Sequence, residues 1–277
     1  CSRIVQKVFR KFARIAQVIK LMNFCIRILS GFIFSSEERK RFREKYSKEE
    51  ISISAKEYNL ISLGCCCMPR YVLTKYGLKK TKEQGELSYP FDLSVTPTSS
   101  VIKLLKNNFD DYFDNLVYDR SLGYWMNTKY NLAFNHDQDC SESEKSKFVE
   151  RFEKRINNLK LLLKNQNICI YFVLAWFGNE REQYINNLYK VLSAIRHKKN
   201  FRLIVLDVEC KLNRKKVNKS IELFQVHHPY VEANNWWKDG YRDSLASIQY
   251  CNLIVEFVRN VVKKNFDVIT YREKTLE

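Results

Sequence analysis

The sequence predicts an α/β fold, a three-layer sandwich in which helices cover both faces of a mainly parallel central sheet. The main observation is a strand–helix–strand succession: an apolar run at 168–175, an amphipathic stretch at 180–196 and a second apolar run at 201–208. Strands of a parallel sheet are buried on both faces and therefore read as continuous apolar runs. A further apolar run at 60–63 leads through Gly64 into a helical pattern, which indicates another strand of this kind.

The other elements follow from apolar periodicity and from turn residues. Helices are predicted where an inner apolar stripe recurs every three or four residues, and short strands where aromatic and aliphatic residues cluster between polar stretches. A loop or short helix is expected at 109–116. In chain order the remaining predictions are helices over 99–107, 143–165 and 241–263, and strands over 124–126, 132–134 and 221–226.

Composition limits the class of protein and its compartment. The chain has 277 residues, of which 45% are hydrophobic, and only seven Gly and four Pro, which excludes fibrous and low-complexity classes. Its nine cysteines are scattered and show no paired spacing. A disulfide scaffold is therefore not expected. We expect a reducing, cytoplasmic location.

The N-terminal segment is much more basic than the rest of the chain. Residues 1–48 carry thirteen Lys or Arg and three Glu, which gives +10 of the formal net charge of +17. We therefore divide the chain into a basic amphipathic helical segment, 1–50, and an α/β catalytic domain, 51–277.

Over 2–34 the basic side chains form one helical stripe and apolar side chains form the opposite one. Two interpretations stay open. The helix lies on an anionic membrane surface, which would make the protein peripherally membrane-associated, or its apolar face packs on the domain or on a partner helix. No stretch approaches the roughly 20 continuous apolar residues that a membrane-spanning helix needs. The basic run ERKRFREKYSKEE at 38–50 is polar nearly all round, so a solvated helix explains it better than nucleic-acid binding does.

The sequence YNLISLGCCCMPRYVLTKYGL at 58–78 is the strongest candidate for a functional site. Pro69 suits the first turn of a helix, so three cysteines precede a helix and follow a strand. Backbone N–H groups at a helix N-terminus favour a thiolate, which suits Cys67 as a nucleophile.

A cysteine nucleophile needs a base and a group that orients the base. His136 follows a predicted strand and is the first candidate base, with Asp92 or Asp137 to orient it. His227 and His228 follow the last predicted strand and are the alternative bases.

Neither a metal nor a cofactor is predicted. Adjacent thiolates cannot easily share one tetrahedral ion, and the chain has no C-x-x-C spacing. A glycine-rich phosphate loop is also missing, because Gly64 is the only glycine in the first turn. Cys66 as a resolving thiol for an oxidised Cys67 is a redox alternative. Trp236, Trp237 and Asn235 lie in one late loop and are candidate substrate-binding residues, suited to stacking on a sugar.

Several motifs together resemble a family of uncharacterised bacterial and viral proteins described as papain-like cysteine peptidases. They are SLGCCC at 62–67, PFDLS at 90–94, NHDQD at 135–139, RFEKRINNL at 151–159 and the two strands at 170–173 and 201–207. The family pattern, SLG-x-x-C followed by FDW and NHDF, implies Cys67 as the nucleophile and places its other polar positions on Asp92, His136 and Asp137. Leu93 and Gln138 depart from this pattern, but neither occupies the position of the nucleophile or the base. The resemblance implies a papain-like α+β arrangement as the alternative fold.

We therefore expect a cysteine-dependent hydrolase or acyl transferase that acts on a peptide, an ester or an acylated glycan. The alternative is a membrane-surface protein that assembles or binds a glycan without covalent catalysis. A binding module that keeps the fold without turnover is a third possibility.

Overall fold

The computed structural model describes residues 58–178, 180–229, 238 and 240–273, with the side chains of the last helix described as far as residue 264. All of these belong to the compact unit Lys56–Glu277. The predicted helix over 2–34 and the candidate residues Trp236, Trp237 and Asn235 lie outside the described residues. The predicted domain division at residue 50 stays a prediction.

The main sheet has four parallel strands in the order β1-β5-β6-β7. Their bounds are β1 Tyr58–Ser62, β5 Cys169–Trp176, β6 Phe201–Asp207 and β7 Ile221–Gln225. The register pairs Ser62 with Val173 and Trp176 with Asp207, so that the carboxyl ends of the strands lie along one edge. Ligands of open parallel sheets bind outside this edge.

Helices cover both faces of the main sheet. Their bounds are α1 Met68–Lys75, α2 Thr98–Lys106, α3 Lys145–Lys164, α4 Gln183–Ile195 and α5 Leu245–Glu273. One face, with Ile61 and Phe172, belongs to a core cluster with residues of α2, α3 and α4. The opposite face, with Leu60 and Val173, belongs to a second cluster with residues of α1 and α5. Helices on both faces of a parallel sheet make a three-layer α/β sandwich.

A small antiparallel sheet extends the first of these faces. It consists of β2 Leu116–Asp119, β3 Tyr124–Asn127 and β4 Leu132–Ala133, and an isolated bridge joins Val95 to Ala133. Aromatic rings attach it to α3: the centroids of Phe134 and Phe152 lie 4.7 Å apart.

The prediction of an α/β fold with a mainly parallel sheet is confirmed. Strand β2 was not predicted: only its first residue lies in the stretch 109–116, which was expected to be a loop or short helix, and no element was assigned to 117–119. Helix α5 extends ten residues beyond the predicted end at 263.

Candidate active site

The turn after β1 depends on a glycine. Gly64 has a φ of +68°, and a Cβ at this position would lie 2.6 Å from the carbonyl oxygen of Thr96. The next residue, Cys65, also has a positive φ of 62°, and its N–H donates to the same Thr96 oxygen at 2.6 Å. The segment at 96 therefore holds the turn, and a side chain at 64 would force the two segments apart.

The three consecutive cysteines face different surroundings. Cys65 packs against the core cluster of α2, α3 and α4, whereas Cys66 and Cys67 pack against the cluster of α1 and α5. Cys67 occupies the N-cap position of α1, and its carbonyl accepts the N–H of Tyr71 at 3.0 Å. Pro69 lies in the first turn, as the sequence predicts.

Burial opposes ionisation of all three thiols. It raises the pKa of Cys65 to about 12, with a further contribution from the Glu180 carboxylate, and it raises the pKa of Cys66 still more strongly, helped by the neighbouring thiols. Burial also raises the pKa of Cys67, against a hydrogen bond from its own backbone N–H. No neighbouring charge raises the Cys67 pKa further. Burial therefore works against the expected Cys67 thiolate, although no neighbouring charge adds to its effect there as it does at Cys65 and Cys66.

Asp92 is buried beside Arg70 of α1. Its Oδ2 accepts the backbone N–H of Tyr89 at 3.0 Å and lies 3.9 Å from Nη1 of Arg70. Burial raises the pKa of Asp92, while Lys79 and Arg70 act in the opposite direction. This carboxylate joins α1 to the 89–92 turn.

His136 lies in the exposed loop after β4. Partial desolvation lowers the pKa of its imidazole, while the Asp137 charge raises it. Asp137 is 2% exposed and points to α3, where Arg155 donates two hydrogen bonds, at 2.9 and 3.0 Å, and Arg151 donates a third at 2.8 Å.

The described contacts do not join His136 to Cys67, and they give Asp92 and Asp137 arginine partners instead of the imidazole. Catalytic roles for His136, Asp92 and Asp137 stay predictions. The arginines are residues that sequence reasoning missed as partners. The sequence did contain a sign that Arg151 and Arg155 act together, because residues four apart lie on the same face of a helix and can bind one carboxylate.

The alternative base His228 lies after β7. The backbone N–H of His228 donates to the carbonyl of Val208 at 3.0 Å, which places His228 at the carboxyl edge of the sheet. Its ring contacts the ring of Tyr250 in α5, with centroids 4.9 Å apart and planes at 69°. Tyr250 belongs to the core cluster against which Cys66 and Cys67 pack. His227, in contrast, is exposed.

Within the described ranges, no group of three or more His, Cys, Asp or Glu side chains is arranged to hold a metal ion. The expectation that the protein uses neither metal nor cofactor stays a prediction.

A cysteine at the N-terminus of a helix, after the first described strand, and a histidine after the last one are the residue types that a cysteine-dependent hydrolase needs as nucleophile and base. A protein-family model described as "Putative papain-like cysteine peptidase" matches residues 58–210. The chain belongs to this family, which confirms the resemblance found in the sequence and supports a cysteine hydrolase in the broad sense. No curated protein and no solved structure matches the chain.

Proposed function

We propose that the protein is a hydrolase or acyl transferase in which Cys67 attacks the carbonyl carbon of a peptide, an ester or an acylated glycan. The observation that carries the proposal is the position of Cys67: the N-cap of α1, at the carboxyl edge of the sheet. Backbone N–H groups of the first helical turn, at residues 67 and 68, supply part of an oxyanion hole.

The raised pKa of Cys67 requires a base that removes the thiol proton during the attack. Two histidines are candidates, for different reasons. The family pattern supports His136. The described contacts support His228, because its ring contacts Tyr250, a member of the core cluster against which Cys67 also packs.

Thiol labelling tests the nucleophile. We expect iodoacetamide to modify Cys67 faster than Cys65 and Cys66, because burial and neighbouring charge hold the pKa values of those two higher. Because burial raises the pKa of Cys67 and the thiolate is the form that reacts, its labelling rate should still be rising with pH between 7 and 9. Quantitative peptide mass spectrometry measures this. Equal labelling of the three cysteines argues against the proposal.

Turnover identifies the reaction and the base. A panel of ester, thioester and peptide substrates should show turnover that Cys67→Ala abolishes and that Cys65→Ser preserves. His228→Asn and His136→Asn are compared side by side. The base is the histidine whose replacement lowers kcat by about 100-fold or more. Turnover that survives Cys67→Ala would refute the assignment of the nucleophile.

A further inference from the structure

The first two turns of α5 carry two buried hydroxyl groups without hydrogen-bond partners. Ser247 is 4% exposed and Tyr250 is 5% exposed, and neither side-chain oxygen has a partner within the described part of the chain. Residues three apart lie on the same face of a helix. Buried hydroxyls are nearly always paired in folded proteins, so an unpaired one calls for an explanation, such as a ligand that supplies the missing partner.

Tyr250 lies next to the groups that we assign to the candidate active site. Its ring contacts the ring of His228, and it belongs to the core cluster against which Cys66, the residue before the proposed nucleophile, packs. The start of α5 is also tied to α1, because Nζ of Lys75 donates to Oδ1 of Asp243 at 3.1 Å. Cys67 packs against the core cluster that contains Tyr250.

A second tyrosine shows that burial alone does not make a site. Tyr112 is fully buried and its hydroxyl also has no partner in the described residues. Its neighbours, however, are the rings of Phe109, Phe113, Phe134 and Phe152, in the other core cluster. Of these two tyrosines, Tyr250 alone combines an unpaired hydroxyl with an imidazole in ring contact and cysteines packed against its cluster.

We propose that the Tyr250 hydroxyl donates a hydrogen bond to the carbonyl oxygen of the substrate when Cys67 attacks. This inference rests on the proposed function. The new bond joins Cys67 Sγ to the carbonyl carbon, the π pair of the C=O moves onto oxygen, and the base takes the thiol proton. The oxygen pair then restores the C=O, the bond to the leaving group breaks, and the base returns the proton to the leaving group. The phenol stabilises the charge on oxygen between these steps.

The surroundings keep the phenol in its donor form. Burial raises the pKa of Tyr250, and the thiols of Cys251, Cys66 and Cys210 act in the same direction. The hydroxyl therefore stays protonated across the pH range in which the Cys67 thiol begins to ionise.

Two reactions of the same sulfur test the role of Tyr250. Acylation by p-nitrophenyl acetate passes through an oxyanion, whereas alkylation by iodoacetamide does not. Both rates at Cys67 are measured in the full chain, in Tyr250→Phe and in the matched control Tyr112→Phe, with circular dichroism to verify folding. We expect Tyr250→Phe to lower acylation about 100-fold and to leave alkylation unchanged, and Tyr112→Phe to change neither.

The other outcomes overturn the inference in distinguishable ways. If Tyr250→Phe is acylated as fast as the unmodified chain, the hydroxyl does not contact the reacting carbonyl. If both rates fall equally, Tyr250 only supports the shape of the site. If p-nitrophenyl acetate does not acylate Cys67 in the unmodified chain, the proposed function fails, and the inference fails with it.

Discussion

At the scale of single residues, two carboxylates in family-like segments serve as internal anchors. Asp92 pairs with Arg70, and Asp137 pairs with Arg151 and Arg155. A buried carboxylate is tolerated only when donors replace its lost hydration, and arginine provides planar pairs of donors. For Asp137 these hydrogen bonds are a structural explanation that does not involve the imidazole, whereas Asp92 Oδ1 and Arg70 Nη1 have no hydrogen-bond partner within the described residues.

Asp137→Asn tests this explanation. We expect the free energy of unfolding to fall by about 2 kcal/mol, because hydrogen bonds to a buried charged group are lost. Urea unfolding followed by circular dichroism measures it. The matched control is Asp139→Asn, whose exposed carboxylate also contacts Arg151 and should change stability by less than about 1 kcal/mol. Unchanged stability of Asp137→Asn together with lost turnover would instead favour the catalytic role.

At the scale of elements, a buried arginine ends two helices at the amino edge of the sheet. Arg196 follows α4 directly, and its side chain is fully buried. Its guanidinium donates to the carbonyls of Leu163, Asn165 and Ile168 at 2.9, 2.7 and 2.6 Å. The last carbonyls of a helix have no partner within the helix. Arg196 therefore caps α3 from the neighbouring helix and fixes the entry of the chain into β5.

Replacing Arg196 should destabilise the whole domain. We expect Arg196→Met to lower the free energy of unfolding by about 3 kcal/mol, because one buried and two part-buried carbonyls lose their donor at once. The exposed neighbour Lys199 is the control: Lys199→Met should stay within about 0.5 kcal/mol of the unmodified chain. Equal midpoints of thermal unfolding for the two variants would contradict the capping role.

At the scale of the whole molecule, the candidate site extends beyond the segment that matches the family. The match ends at residue 210, whereas β7, His228 and Tyr250 follow it. The cysteine turn lies near the start of the domain and α5 near its end, yet both belong to the core cluster on one face of the sheet. Truncation after residue 210 would therefore remove the histidine and the phenol that we assign to the site.

The basic N-terminal segment allows a prediction about location. In the described part of the chain, no helix has the length and the apolar character required to cross a membrane. We propose that residues 1–34 attach the protein to anionic lipid. The full chain should float with vesicles that contain phosphatidylserine and not with pure phosphatidylcholine, because basic side chains bind the negative surface. Removing residues 1–34 should abolish flotation. If the shortened chain floats equally well, the segment is not the anchor.

The sequence by itself determined the central elements and the position of Cys67. Buried parallel strands appear as continuous apolar runs, which identified β5 and β6 to within one residue at each end. The proline after the three cysteines identified the start of α1 for a similarly local reason. Patterns of this kind depend only on neighbouring residues, so they can be read without the fold.

Only the tertiary structure decided which side chains meet. It gave Asp92 and Asp137 to arginines, and it brought Tyr250 of α5 beside His228 and into the core cluster against which Cys66 packs. Cys66 and Tyr250 are separated by more than 180 residues, and no local pattern marks a tyrosine in an amphipathic helix as a partner for a distant thiol. Such contacts depend on the order of the strands and on the face that each helix covers, both of which the packing of the whole domain sets.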